Sequence, residues 1–403
     1  MSFRYIGARI SATPPTVTPP SGGEGGSASG AWSLGTVIGY EATSGWPKPL
    51  IDKYLWGWGR NTTGQLGLGN ITNYSSPKQV GSLVTWKAIA GGRNVTITTK
   101  TDGTLWTWGD NSAGQLGLGN ITNYSSPKQV GALTTWLAIA GGAYHTTATK
   151  TDGTLWTWGR NTTGQLGLGN TTNYSSPKQV GALTTWSTVA NGGSYTIVTK
   201  TDGTLWAWGE NTSGQLGDGT TVNKSSPIQV GVLTTWKAVS TGANHTIVTK
   251  TDGTLWAWGS NGSGQLGLGN ITNYSSPKQV GALTTWGSMF VGGEGNSNLI
   301  TKTDGTLWGW GNNGSGQLGL SNTTGYSSPK QVGALTTWKT LACGGDQGIA
   351  TRTDGTLWTW GLNNSGQLGL GDITNRSSPV QVGALTTWLA IATGANQTIA
   401  LKT

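Results

Sequence analysis

The stretch Thr151 to Trp186, TDGTLWTWGRNTTGQLGLGNTTNYSSPKQVGALTTW, decides the fold. It recurs with few changes from Thr101 and again from Thr201. The phrase WGxN places its tryptophan at 58, 108, 158, 208, 258, 310 and 360. The spacing is fifty residues except between 258 and 310, where two residues are inserted near VGGEGNSN. Seven copies at a fixed period of this length indicate stacked repeat units, as in propellers and solenoids.

One unit reads as four strands. WLAIA (136–140) is apolar, GGAY is a turn, and HTTATK (145–150) is rich in β-branched residues. TDGT carries Asp-Gly, a strong hairpin signal. LWTWG alternates, so Trp156 and Trp158 share one face of their strand. The long loop RNTTGQLGLGNTTNYSS leads to PKQV, whose proline confines it to an edge. The predicted fold is an all-β, seven-bladed propeller. The chain ends on WLAIATGANQTIALKT, the first two strands of a unit, and enters the repeats at DKYLWGWGRN, the third. The two halves are expected to share one blade. Such closure removes two open sheet edges.

The totals agree. The chain has 403 residues, 69 glycines and 23 tryptophans, with only 10% charged residues, which suits glycine turns and aromatic cores rather than disorder. The net charge is +9, but the basic residues form no run, so nucleic-acid binding is not expected. The one cysteine, Cys343, stands where other repeats carry Gly141, Asn191, Thr241 or Thr393. It reads as a small tolerated residue. The N-terminus has no apolar signal core and no stretch has the length of a membrane span, so neither export by its own signal nor membrane insertion is expected.

Residues 1–50 do not repeat and divide from a repeat domain at 51–403. TPPTVTPPSGGEGGSASG is a Pro-rich, then Gly/Ser-rich tether. Trp32 and Trp46 are the candidate anchors of this segment.

The phrase DGTLWTWGxNxxGQLGLG, followed by P and QV and preceded by GxxHT, resembles the regulator of chromosome condensation repeat family. The resemblance covers about 350 residues. It implies a seven-bladed propeller and a binding platform. The family's activities include nucleotide exchange on a small GTPase and chromatin binding. Exchange should need a wedge-like insertion, and this chain has only the two-residue one. The leader, FRYIGARISATPPTVT with GAWSL and SGWP, resembles those of tailed-phage virion proteins. That resemblance implies a virion structural protein, displayed in several copies: a tail fibre, head fibre or decoration subunit. The N-terminus would join other virion proteins and the propeller would meet a host-surface glycan or protein. The alternative is a cellular scaffold or exchange regulator.

No enzyme-like cluster, metal set or cofactor motif is present. His145 and His245 occupy one position in two blades, opposite Val95, Tyr195 and Gln397 elsewhere. The repeated Asp102, Asp152, Asp202, Asp252, Asp304 and Asp354 read as turn residues. GDGTTVN around Asp218 lacks the acidic count of a calcium loop. Variation concentrates in two places. The residue before the Asn of WGxN reads Arg60, Asp110, Arg160, Glu210, Ser260, Asn312 and Leu362, and the first turn of each unit also varies. In an up-down-up-down blade both connections lie on one face of the disc. That face is either a recognition surface or a place of free drift. Its candidate binding residues are Arg60, Arg93, Tyr144, His145, Arg160 and Tyr195. Lys78, Lys128, Lys178, Lys278 and Lys330 are expected on its rim.

Overall fold

The computed structural model describes residues 52–291 and 295–403. The proposed anchor, with Trp32 and Trp46, lies outside them. The described residues form seven four-stranded antiparallel sheets. We label them blades I to VII by their outer strands: Tyr74–Gln79 in I, Tyr124–Gln129 in II, Tyr174–Gln179 in III, Lys224–Gln229 in IV, Tyr274–Gln279 in V, Tyr326–Gln331 in VI and Arg376–Gln381 in VII. In blade III the strands are Trp136–Gly141, His145–Lys150, Leu155–Gly159 and Tyr174–Gln179. The first strands of successive blades touch one another around the ring, and that of blade VII touches that of blade I. The fourth strand, with its proline, is the outer edge.

Blade I is built from both ends of the repeat region. Tyr54–Gly59 pairs antiparallel with Gln397–Lys402, in register from Tyr54 opposite Lys402 to Gly59 opposite Gln397. The ring therefore closes through ordinary strand pairing, as the split repeat predicts.

The core lies between blades. Val95, Ile97, Leu105, Leu116 and Val130 of blade II pack against Trp136, Ala148 and Trp158 of blade III. Equivalent clusters fill the other interfaces. Trp136 meets Trp156 and Trp158 edge-on, with centroids 6.3 and 5.9 Å apart. Edge-to-face pairs of this kind each add about 0.5–1.5 kcal/mol beyond burial.

Polar stitches cross the same interfaces. The Gln115 carbonyl in blade II accepts from Trp158 Nε1 at 2.9 Å and Thr146 Oγ1 at 2.8 Å in blade III. Gly119 N donates to Ser175 O at 2.8 Å. The GQLGLG glycines are thus backbone packing: a Cβ on Gly117 would stand 2.7 Å from Trp158 Nε1. Near-identical repeats are required because each blade must fit a copy of itself on both sides.

The lysines depart from expectation. Lys150 sits 3.6 Å above the Trp156 ring centroid and 5.2 Å from that of Trp136. It caps both tryptophans. Lys128 stands opposite Thr107, midway along the third strand, with its ammonium over Tyr124. The outer strand begins at Tyr124, four residues before Lys128, so the lysine stands at mid-height of the outer edge and off the rim of the variable face; a bulge that adds residues to this strand keeps it opposite Thr107 rather than Leu105.

Candidate functional site

The two variable segments share one face. Arg160 N donates to Tyr144 O at 2.8 Å, and Asp110 N to Asn94 O at 2.9 Å, so each long loop starts beside its own blade's first turn. The opposite face pairs the uniform segments, with Thr151 N donating to Thr135 O at 2.9 Å. There Asp152 accepts from Thr154 N and Oγ1 at 2.9 and 2.6 Å. Those bonds, led by the hydroxyl's, hold its carboxyl below the usual range.

The first turns are tied to one another. Arg93 N donates to Gly142 O, Ala143 N to Gly193 O, Gly193 N to Ala243 O, and Ala395 N to Arg93 O, all at 3.0–3.2 Å. The close approach of the turns leaves no room for side chains at Gly142 and Gly394. A Cβ on Gly142 would lie 2.7 Å from Gly192 O, and one on Gly394 would lie 2.3 Å from Gly92 O.

On this base three of the six candidate residues converge. Arg93 Nη1 donates to Tyr144 Oη at 2.9 Å, and its guanidinium lies 5.6 Å from the Tyr144 ring centroid. The Arg160 guanidinium lies 5.5 Å from the same ring. One half-buried tyrosine is held by two exposed arginines from neighbouring blades. Arg60 does not join: the turn beside it presents Asn396, which offers no ring, and its Nε donates to Thr62 Oγ1 at 3.0 Å.

His145 and Tyr195 require correction. Both are 0% exposed and begin the second strand rather than tip the turn. They are stitches to the next blade and not surface contacts. His145 Nε2 lies 3.1 Å from Thr196 Oγ1. That hydroxyl gives its proton to Gln165 O at 2.9 Å, so the imidazole nitrogen must donate. Tyr195 Oη donates to the carbonyl oxygen of His245. His245 Nε2 donates to Asn298 Oδ1 at 2.9 Å. Gln347 and Gln397 do the same work in blades VII and I, reaching Gln397 O and Gly92 O, each at 3.1 Å. The signal was available in the sequence, since Val95, an apolar residue, holds the same position.

Burial lowers the His145 pKa to about 3 and that of His245 to about 4. Nδ1 of each ring is buried without an acceptor, so a second proton there would be unsatisfied. Burial pushes the Cys343 thiol up to about 12, consistent with a packed residue rather than a nucleophile. Among the described residues no group of three or more His, Cys, Asp or Glu could hold a metal.

Some substitutions between repeats compensate one another. Asn120 Nδ2 donates to Tyr124 Oη at 3.2 Å in blade II. The same two positions in blade VII carry Asp372 and Arg376, an ion pair at 2.6 Å. In blade IV Lys224 pairs with Asp218 at 3.4 Å. Asp218 is thus engaged by a lysine of its own blade, and it also accepts from Asn211 Nδ2 at 2.9 Å.

A closed seven-bladed ring with one uniform and one varied face defines a repeat propeller. The RCC1-like domain model matches residues 51–293, and the regulator of chromosome condensation (RCC1) repeat models match residues 304–350, 354–401 and 338–367. The chain belongs to the RCC1-like domain family. Prp20p from Saccharomyces cerevisiae, studied for its binding to Gsp1p and histones, is similar in structure: TM-score 0.77, 19% identity, 87% of this chain and 91% of that one. Human WBSCR16 is similar at TM-score 0.77 and 20% identity, over 87% of this chain and 98% of that one. Yeast RCC1 (Prp20) bound to Kap60 gives TM-score 0.77 and 18% identity, over 87% and 89%. These likenesses establish the fold. No curated protein sequence matches the chain.

Proposed function

We propose that this chain is a non-enzymatic, protein-binding propeller that engages its partner with the variable face, centred on Tyr144. The observation that carries the reading is the convergence of Arg93, Tyr144 and Arg160 from two blades. Arginine and tyrosine dominate binding hot spots because they combine large contact area with directed hydrogen bonds. Pre-stacking fixes their rotamers before a partner arrives, which lowers the entropy lost on binding. The family membership supports a partner-binding role, since Prp20p was studied with Gsp1p and histones and its complex with Kap60 is known. A cellular scaffold or small-GTPase regulator is therefore favoured over the virion display subunit. Exchange itself is measured by release of a fluorescent nucleotide from a small GTPase. The triple variant R93A/Y144A/R160A should lose partner capture while its melting temperature stays within a few degrees of the parent's. Retention of the same partners by this variant would sink the reading.

The virion reading rests on the sequence of residues 1–50 alone. It requires that the full chain co-sediment with phage particles and that a 51–403 fragment not do so. Failure of the full chain to co-sediment removes that reading and leaves the first intact.

A further inference from the structure

The lysines of the outer strands stand at one height around the disc. Lys78 is opposite Gly57, Lys128 opposite Thr107 and Lys178 opposite Thr157, the same register in blades I, II and III. Lys278 and Lys330 repeat it in blades V and VI. All five are exposed, and each ammonium lies 5.3–5.5 Å from the ring centroid of the tyrosine that opens its own strand. None pairs with a carboxylate among the described residues. Blades IV and VII break the series. Ile228 and Val380 take the lysine's place, and the cations that open those strands, Lys224 and Arg376, are paired with Asp218 and Asp372.

The variable face divides in the same way. Arg60, Arg93 and Arg160 belong to blades I, II and III, whereas Glu210 belongs to blade IV and Asp346 to blade VII. On the variable face and outer edge of blades I–III, the one carboxylate among the described residues is Asp110. It is 8% exposed and accepts from Ser112 N at 3.0 Å. Six cations thus face one carboxylate over three consecutive blades, an excess of five in a chain whose net charge is +9. The charge of this protein is therefore gathered on one sector.

We propose that blades I–III form one cationic surface, running from the variable face over the rim to mid-height of the outer edge, that binds an acidic polypeptide segment of the partner. This rests on the protein-binding role proposed above and names the chemistry of the partner. The arginine forks suit carboxylates, which they can hold by two parallel N–H bonds. The lysines add point charges one blade apart, and a flexible acidic chain can reach from one to the next. Bases would find no platform, because a lysine stands over each edge tyrosine and two arginines clasp Tyr144, whereas single-stranded nucleic acid binding relies on open aromatic faces. Exposed charges of one sign also draw in an opposite partner and raise its association rate, an effect that salt screens.

The test uses the full chain and a fluorescent peptide of about twelve residues alternating Asp and Glu, which spans roughly 40 Å when extended. Binding is read by anisotropy. The parent should bind this peptide and not its Asn/Gln counterpart, and raising salt from about 50 to about 300 mM should weaken binding at least about tenfold. K128E/K178E should weaken it at least about tenfold, whereas K278E/K330E, with the same change in total charge, should stay within about threefold of the parent. These lysines are exposed, so melting temperatures should match the parent's. No binding by the parent, or equal losses in the two variants, would overturn the proposal. So would tighter binding of a heparin oligosaccharide or a single-stranded DNA carrying the same number of charges. Capture of partners from extract separates this proposal from the reading it rests on. If R93A/Y144A/R160A loses its partners while K128E/K178E binds the peptide like the parent, the acidic segment is wrong and the variable face stands. If R93A/Y144A/R160A keeps its partners while K128E/K178E loses the peptide, the Tyr144 site is wrong and the cationic edge stands.

Discussion

Trp58 Nε1 donates to the Gln367 carbonyl at 3.0 Å, across 309 positions of chain. The equivalent bond elsewhere, Trp108 to Gln65, spans 43. The interface that closes the ring is chemically the same as those inside it. Among the described residues, the same bond holds this interface and those inside the ring.

Removal of residues 397–403 should therefore damage the whole ring. It takes away the strand paired on one side with Tyr54–Gly59 and on the other with Trp388–Thr393. Ile399 and Leu401, both buried, leave with it. The melting temperature should fall by about 10 °C or more, given roughly 2–4 °C per kcal/mol for a domain of 150–250 residues. An unchanged melt from a monomeric truncation would refute closure by this strand.

Stability should fall on mild acidification. His145 and His245 have folded pKa values of about 3 and 4, below the ordinary 6.5. Below pH 6.5 the unfolded chain takes up protons that the folded chain refuses, so stability drops until the pH passes the folded values. One pKa unit corresponds to about 1.4 kcal/mol, so each histidine accounts for a loss on the order of 3 kcal/mol by pH 4. H145Q/H245Q should flatten this dependence between pH 6.5 and 4 while still folding, because Gln347 and Gln397 already fill the position. Chemical denaturation at several pH values reads both outcomes. The same slope in the double variant would contradict the assignment.

Two glycines with positive φ separate conformational cost from collision. Gly131 has φ +59° and open space where a Cβ would stand, whereas Gly103 has φ +79° and would place a Cβ 1.9 Å from Thr134 O. Gly131→Ala should cost about 1–2 kcal/mol, the left-handed backbone penalty alone. Gly103→Ala should cost more than about 4 kcal/mol or prevent folding, since backbone on both sides must shift. Equal losses in urea denaturation would show that the turn yields more easily than its packing indicates.

The Asp372–Arg376 pair replaces the Asn–Tyr pair of other blades. D372N alone should cost up to about 1 kcal/mol, the usual limit for a surface ion pair. D372N/R376Y restores the repeat's common pair and should recover that loss. A double-mutant cycle measures the coupling, and a value of zero would mean that the two changes arose independently.

The blade strands and their closure were legible because period, Asp-Gly turns and the split terminal repeat each mark the backbone directly. The sharing of one face by Arg160 and Tyr144 followed from strand alternation alone. Which turn residues face outward was not legible from variability, because variation at 95, 145, 195 and 397 reflects stitching between blades. Val95 was the one clue that this position is interior. The height of Lys128 depends on a bulge that adds residues to one strand only, and spacing in the sequence does not reveal it. The capping of Trp156 by Lys150 joins two strands across a hairpin, so linear reading does not show it.

Recognition of a partner by the variable face, through Tyr144 and its two arginines, comes down to a single comparison. Partners are captured quantitatively from cell extract by three immobilised proteins: the parent, R93A/Y144A/R160A, and T134A/T135A on the uniform face. The parent and T134A/T135A should retain the same partners, and R93A/Y144A/R160A should lose them at least about tenfold while remaining folded, as expected when hot-spot side chains are truncated. Identical capture by all three would contradict recognition by this face, and would leave the variation of its outer turns as drift.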